Sequence, residues 1–171
     1  IHCQHFTFKD AGQLRIGDAL TEGEGLRFTG IPSFAPELLQ TVRAGDPMKA
    51  KHLEKALMQF AEEGAAKVFK PMIGSGYIVG VVGALQFDVL ASRIEQEYSL
   101  PVRFEGSNFS SARWISGDKA EMEKLVNVNK GHIAHDSDGD LVFLTRLQWD
   151  IDRVVRDYPG VKLTATKEMM V

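Results

Sequence analysis

Cysteine is almost missing from this chain. One thiol, Cys3, stands among 171 residues, so no intrachain disulfide can form, and the sequence fits a reducing compartment. No apolar run approaches the roughly 20 residues that a bilayer-spanning helix needs. The opening residues, Ile1-His2-Cys3-Gln4-His5, lack the basic stretch followed by an apolar one that marks a secretion signal. They also lack an initiator Met, which suggests a fragment or a processed chain. Strong positive charge is lacking too. A net charge of -3 argues against a free-standing nucleic-acid binder, although it leaves room for a local basic face.

Recognisable catalytic patterns are equally scarce. No phosphate loop of the Gly-x-x-x-x-Gly-Lys-Ser/Thr kind occurs. Gly74-Ser75-Gly76 precedes a strand, whereas a dinucleotide fingerprint follows one and opens a helix, and Val79 stands where its third glycine belongs. Asn129-Lys130-Gly131-His132 resembles a guanine-reading tetrapeptide, but His132 replaces the Asp that would read the base. His2, Cys3 and His5 are too few to close a metal site. Asp136, Asp138 and Asp140 imitate the first ligands of a calcium loop. Leu141 and Leu147 then stand where its Gly and bidentate Glu should be, so a solvated turn is the better reading. Ser75 sits in no nucleophile elbow, and no carboxylate lies isolated in an apolar run that would tune it for general-acid work.

What is present is hydrophobic periodicity. A hydrophobic content of 44% and a length near 170 residues allow roughly 70% of the unfolded surface to be buried, so no staple is needed. Residues 1–33 read as short alternating strands, Phe6-Thr7-Phe8, Leu14-Arg15-Ile16 and Leu26-Arg27-Phe28-Thr29, separated by Gly- and Asp-rich turns. Three short strands cannot close a barrel by themselves. Gly30-Ile31-Pro32-Ser33 reads as a boundary.

Beyond it the period alternates between strand and helix. Glu37 to Arg43 reads as a strand. Asp46-Pro47 is an N-cap followed by Pro at the first helical position. Leu53, Ala56, Leu57, Phe60 and Ala61 then form an apolar stripe that ends at Gly64. Ala66 to Met72 and Tyr77 to Val82 are strands. Phe87, Leu90, Ala91, Ile94 and Tyr98 mark the face of a second helix, and Val102 to Glu105 is a fourth strand. Gly80 and Gly83 are expected where a neighbouring backbone comes close. The order β-α-β-β-α-β over residues 34–105 predicts an α+β, ferredoxin-like unit: a four-stranded antiparallel sheet with both helices on one face.

Residues 106–171 read as an α+β extension of the same domain, in which the element order partly recurs. Ser110 to Ile115 is a strand, Asp118 to Glu121 a capping box, and His132 to His135 pairs with Leu141 to Thr145. Gln148 to Tyr158 is a helix with Ile151, Val154, Val155 and Tyr158 on its buried face. Val161 to Ala165 is the last strand, and Thr166 to Val171 is read as a frayed tail.

Several stretches carry a resemblance. Gly12 to Gly23 is similar to the end of the second domain, a β-barrel, of translational GTPases. Phe28-Thr29-Gly30-Ile31-Pro32-Ser33-Phe34-Ala35-Pro36-Glu37-Leu38, Glu62-Glu63-Gly64-Ala65, Val79-Gly80-Val81-Val82-Gly83-Ala84-Leu85-Gln86-Phe87-Asp88-Val89 and Ala112-Arg113-Trp114 resemble the C-terminal part of the bacterial peptide chain release factor 3 family. The resemblance implies a cytoplasmic, non-catalytic third domain. It would be joined to the barrel's last strands and to a GTPase domain, absent here, that binds GTP and Mg. The implied partners are the ribosome, both RNA and protein, and through it the decoding release factors, with no membrane. This chain itself is expected to hold no cofactor. Lys51 and Lys55, one turn apart opposite the apolar stripe, are candidate contacts to ribosomal phosphate, with Arg103, Arg113 and Trp114 as further candidates. Three other readings stay open: an RNA-binding sheet of the RRM kind, which needs paired aromatics on its central strands, the domain of another translational GTPase of the elongation-factor type, and a small enzyme with an unrecognised site.

Overall fold

The computed structural model describes residues 32–168. The three strands expected between Phe6 and Thr29 lie outside these residues.

The expected first unit is present. Strands β2 (Leu38–Val42), β3 (Lys67–Pro71), β4 (Tyr77–Val81) and β5 (Phe104–Gly106) alternate with helices α1 (Ala50–Glu62) and α2 (Leu85–Tyr98). Their order across the sheet is β5-β2-β4-β3, every pairing is antiparallel, and β4 lies between β2 and β3. Asp46 caps the helical start through the N–H of Met48, and Pro47 opens a single 3-10 turn before α1 proper. Leu53, Ala56, Leu57 and Phe60 of α1 meet Phe87, Leu90 and Ile94 of α2 over Val42, Val68, Val79 and Val81, so both helices cover one sheet face. Phe87 and Phe104 add a ring contact with centroids 5.2 Å apart.

The second half goes further than an extension. It contains β6 (Ser111–Gly117), α3 (Lys119–Val128), β7 (Ile133–His135), β8 (Leu141–Thr145), α4 (Gln148–Asp157) and β9 (Val161–Thr164), a second β-α-β-β-α-β run. Its strands lie in the order β7-β8-β6-β9, the first unit's order reversed. The second strand of each unit, β3 and β7, pairs antiparallel at Lys70–His135 and Pro71–Ala134. One eight-stranded sheet results, with a topology that a local two-fold axis between β3 and β7 would generate. The two units have no sequence period in common because only the placement of apolar residues is shared.

Pairing register fixes the faces. Ile115, Ile133, Phe143 and Val161 point to the same face as Val68 and Val79, and there Leu125 of α3 and Val154 of α4 cover them. The other, helix-free face buries Leu39, Phe69, Ile78, Ala112, Trp114, Ala134, Val142 and Leu144 in one cluster drawn from both units. Gly80 is glycine for a packing reason: a Cβ there would stand 2.3 Å from Cγ of Pro36, which closes over that face. Gly83 has nothing within 4 Å of such a Cβ, so the close approach expected there does not occur.

Three further expectations change. The supposed tail contains β10 (Thr166–Glu168), paired antiparallel with β1 (Pro32–Phe34) in a separate two-stranded ribbon, so Pro32 and Ser33, read as part of a boundary, lie in a strand. Val155 is 52% exposed, because Val154 takes the buried position on α4. The capping box at Asp118 is half formed. Asp118 accepts from the N–H of Glu121, but Glu121 reaches across to the N–H of Gly160 at 2.6 Å and ties α3 to the start of β9.

Candidate docking face

The first turns of α1 present cations to solvent. Leu53, Leu57 and Phe60 turn the opposite face inward, which leaves Lys51 and Lys55 exposed one turn apart, with Lys49 and His52 exposed beside them. Among the described residues neither Lys51 nor Lys55 is in an ion pair. Glu54, which lies between them in sequence, is already neutralised by Lys70 at 3.0 Å. Hydrogen bonds, first from Lys70 and then with Tyr77, hold its carboxyl below the usual range. No acidic residue occupies the first turn of α1. Lys51, in the first turn, opposes the helix macrodipole, typically at a cost of about 0.3–1 kcal/mol, and the two lysines together concentrate positive potential where an anion would dock.

The other candidates are not assembled with these lysines. Arg103 is exposed just before the edge strand β5 and lines a shallow groove with Gln40, Phe87 and Asp88. Arg113 and Trp114 are neighbours on β6 and therefore point to opposite faces. Arg113 is half-buried, and its Nη1 donates to the carbonyl of Ala112 at 2.8 Å and to Ser111. Trp114 is buried in the helix-free cluster, and its Nε1 donates to Asp136 Oδ2 at 2.9 Å. The two side chains thus form no common stacking surface.

Two further groupings stand apart from these candidates. Asp136, Asp138 and Asp140 do converge, with ligand oxygens within 4.8 Å of one another. The cation among them is Lys167 of β10, whose Nζ lies 2.8 Å from Asp136, 2.7 Å from Asp138, and also against Asp140. Only the pairing of β10 with β1 brings that lysine in. The second grouping is on α4, where Trp149 is 59% exposed with the Arg153 guanidinium 5.4 Å from its ring centroid. Its position opposite Ile151 and Val154 on the helical wheel was the available signal.

Neither an acid/base pair nor a free sheet face emerges among the described residues. Asp136 and Asp150 are the carboxyls most deeply engaged. Burial pushes both up, but hydrogen bonds outweigh it and hold both below the usual range: Lys167, Trp114 and the Asp140 N–H for Asp136, the Leu147 and Arg146 N–H groups for Asp150. Carboxylates held ionised in this way are poor general acids. The helix-free sheet face, which an RRM-like protein leaves open for bases, is filled by apolar side chains of both units. The family model described as class II release factor RF3, C-terminal domain, matches residues 28–155. The matched span takes in both ferredoxin-like units as far as the last turn of α4.

Proposed function

The chain belongs to the class II release factor RF3 C-terminal domain family, a family of translation termination, and from that premise we propose that it docks its parent factor on the ribosome. In this reading the domain contributes no chemistry of its own. It positions the factor's GTPase and barrel domains in the cytoplasm and couples their nucleotide state to the dissociation of decoding release factors. GTP and Mg belong to the absent GTPase domain. Among the described residues no helix is long and apolar enough to cross a membrane. Residues 34–105 and 106–171 act as two parts of one domain, downstream of a barrel ending near residue 33. The support for treating them so is the sheet that runs through both.

The observation that carries the docking reading is the exposed Lys51–Lys55 face at the N-terminal end of α1, which has no ion pair among the described residues, with Glu54 paired to Lys70. Ribosomal RNA phosphate is the matching surface. A lysine that neutralises a phosphate releases condensed counterions, so binding weakens with added salt. The test exchanges both lysines for Glu in the factor that carries its GTPase and barrel domains. The melting temperature should scarcely move, since both side chains are exposed. Ribosome affinity should fall, and its dependence on salt should flatten. Unchanged affinity with an unchanged salt slope would remove Lys51 and Lys55 from the interface and leave Arg103 as the exposed basic candidate.

A further inference from the structure

The indole of Trp149 is not used by the apolar core. Trp149 belongs to none of the three apolar clusters and is 59% exposed. Arg153 lies one turn on, with its guanidinium over the indole. Its Nη2 donates to Asn129 Oδ1 at 3.1 Å, which fixes the group between α4 and the end of α3. Its Nε is buried with no partner among the described residues. Val128, 74% exposed, and Lys130, also exposed, flank Asn129 at that end of α3.

The charges nearby favour an anion. Asp150 is committed to the N–H groups of Arg146 and Leu147, and Asp157 to Arg156 at 2.8 Å. Asp152 takes only a long contact from Gln148. Among the described residues Lys130, Arg146 and Arg153 have no ion-pair partner. An indole with a cation held against it and more than half its surface in water offers a ready platform for a base. Arg146, just ahead of α4, and Lys130, next to the Asn129 that Arg153 bonds, can take the attached phosphates. Base–aromatic stacking is insensitive to base identity, because every base has a π-face. A protein partner would gain less here, since the apolar area is small.

We infer that Trp149, clamped by Arg153, is a stacking site for an unpaired RNA base, with Lys130 and Arg146 receiving the flanking phosphates. This site lies on the second unit and does not rest on the docking of α1.

The chain contains two tryptophans, and the other, Trp114, is buried and bonded to Asp136, so quenching by a bound base reports on Trp149. The test titrates the full chain with a single-stranded oligoadenylate at low salt and, separately, with heparin, a polyanion without bases. Oligoadenylate should quench the exposed emission, and heparin should not. Trp149→Ala should weaken oligoadenylate binding, followed by anisotropy of a labelled strand, by about 10-fold or more. Trp149→Phe should keep part of it. The melting temperature of each variant, expected to match the parent, confirms that folding is intact. Equal quenching by heparin, or unchanged oligoadenylate binding by Trp149→Ala, would overturn the inference. So would protection of Trp149 in the ribosome-bound factor by protein alone. Charge reversal of Lys51 and Lys55 leaves this binding unaltered, so the two proposals fail separately.

Discussion

Lys167 Nζ stands 2.8 Å from Asp136 Oδ2, and the same carboxylate oxygen accepts the indole N–H of Trp114 at 2.9 Å. One oxygen therefore joins the β10 ribbon, the β7–β8 turn and the helix-free core. The ion pair is largely shielded, with 17% and 9% of the two side chains exposed. Asp136 keeps a folded-state pKa below its ordinary 3.8. Its contribution to stability is complete above about that pH and is lost as pH falls through the lower folded value. Acid unfolding of Asp136→Asn should accordingly begin from a lower plateau and depend less on pH below 4 than that of the parent. At neutral pH the substitution should cost on the order of 1–3 kcal/mol, as for other hydrogen bonds to charged groups. Urea denaturation at a series of pH values measures both. A parallel pH dependence in parent and variant would show that other carboxylates drive the acid transition.

Two glycines, Gly80 inside β4 and Gly83 in its connection to α2, should respond differently. Gly80→Ala would place a methyl against Cγ and Cβ of Pro36, at 2.3 and 2.6 Å, and Pro36 is buried with little room to retreat. Overpacking of this sort costs about 1–3 kcal/mol. Gly83→Ala meets nothing within 4 Å and should stay within about 0.5 kcal/mol of the parent. Melting temperatures of the pair decide between packing and simple chain stiffening, since stiffening would raise both.

The local elements were legible because each carries its period and its punctuation on its own residues. Asp46-Pro47, Gly64 and the Leu53–Phe60 stripe define α1 without outside help, and the first unit's topology follows from the order of such elements. What was hidden is long-range. The pairing of β3 with β7 turns an apparent appendage into a second unit, and nothing in Lys67–Pro71 alone marks it as an interior strand. Trp114 could be kept as a candidate contact because a strand residue's burial depends on what covers its face, here residues of both units. Lys167 could not be matched with Asp136 until β10 was paired with β1. The exposed lysines of α1 were readable from the wheel. Whether they touch RNA is a property of the ribosome as well, so no single chain encodes it.

Phe60, on the inner face of α1, and Phe143, on β8 beneath α3 and α4, are fully buried in different units. Either change to Ala should cost about 3–5 kcal/mol. Because a single cluster on the helix-free face draws on both units, both variants should shift one common transition. Circular dichroism at 222 nm and the emission of Trp114, followed in the same urea titration, check this. Separate midpoints for the two probes would mean that the units unfold independently.

The symmetry of the β3–β7 junction leads to a sharper expectation for a piece of the chain. Residues 34–105 alone retain both helices over their own sheet face, so the first apolar core can form. They lose the partner of β3, which becomes an open edge at Lys70 and Pro71, and they lose the cover on Leu39, Phe69 and Ile78. An open strand beside an uncovered apolar face invites pairing with another chain. The junction joins equivalent strands antiparallel, as an isologous dimer would, so a second copy can present its own β3 in the place of β7. The isolated unit should therefore be a dimer by light scattering after size exclusion, whereas the full chain is not driven to dimerise through this strand. Replacing Phe69 and Ile78 with Thr in the isolated unit should shift it toward monomer while preserving its helical circular dichroism. A monomer without those changes would mean that the edge protects itself, and that the union of the two units depends on the apolar face more than on the strand.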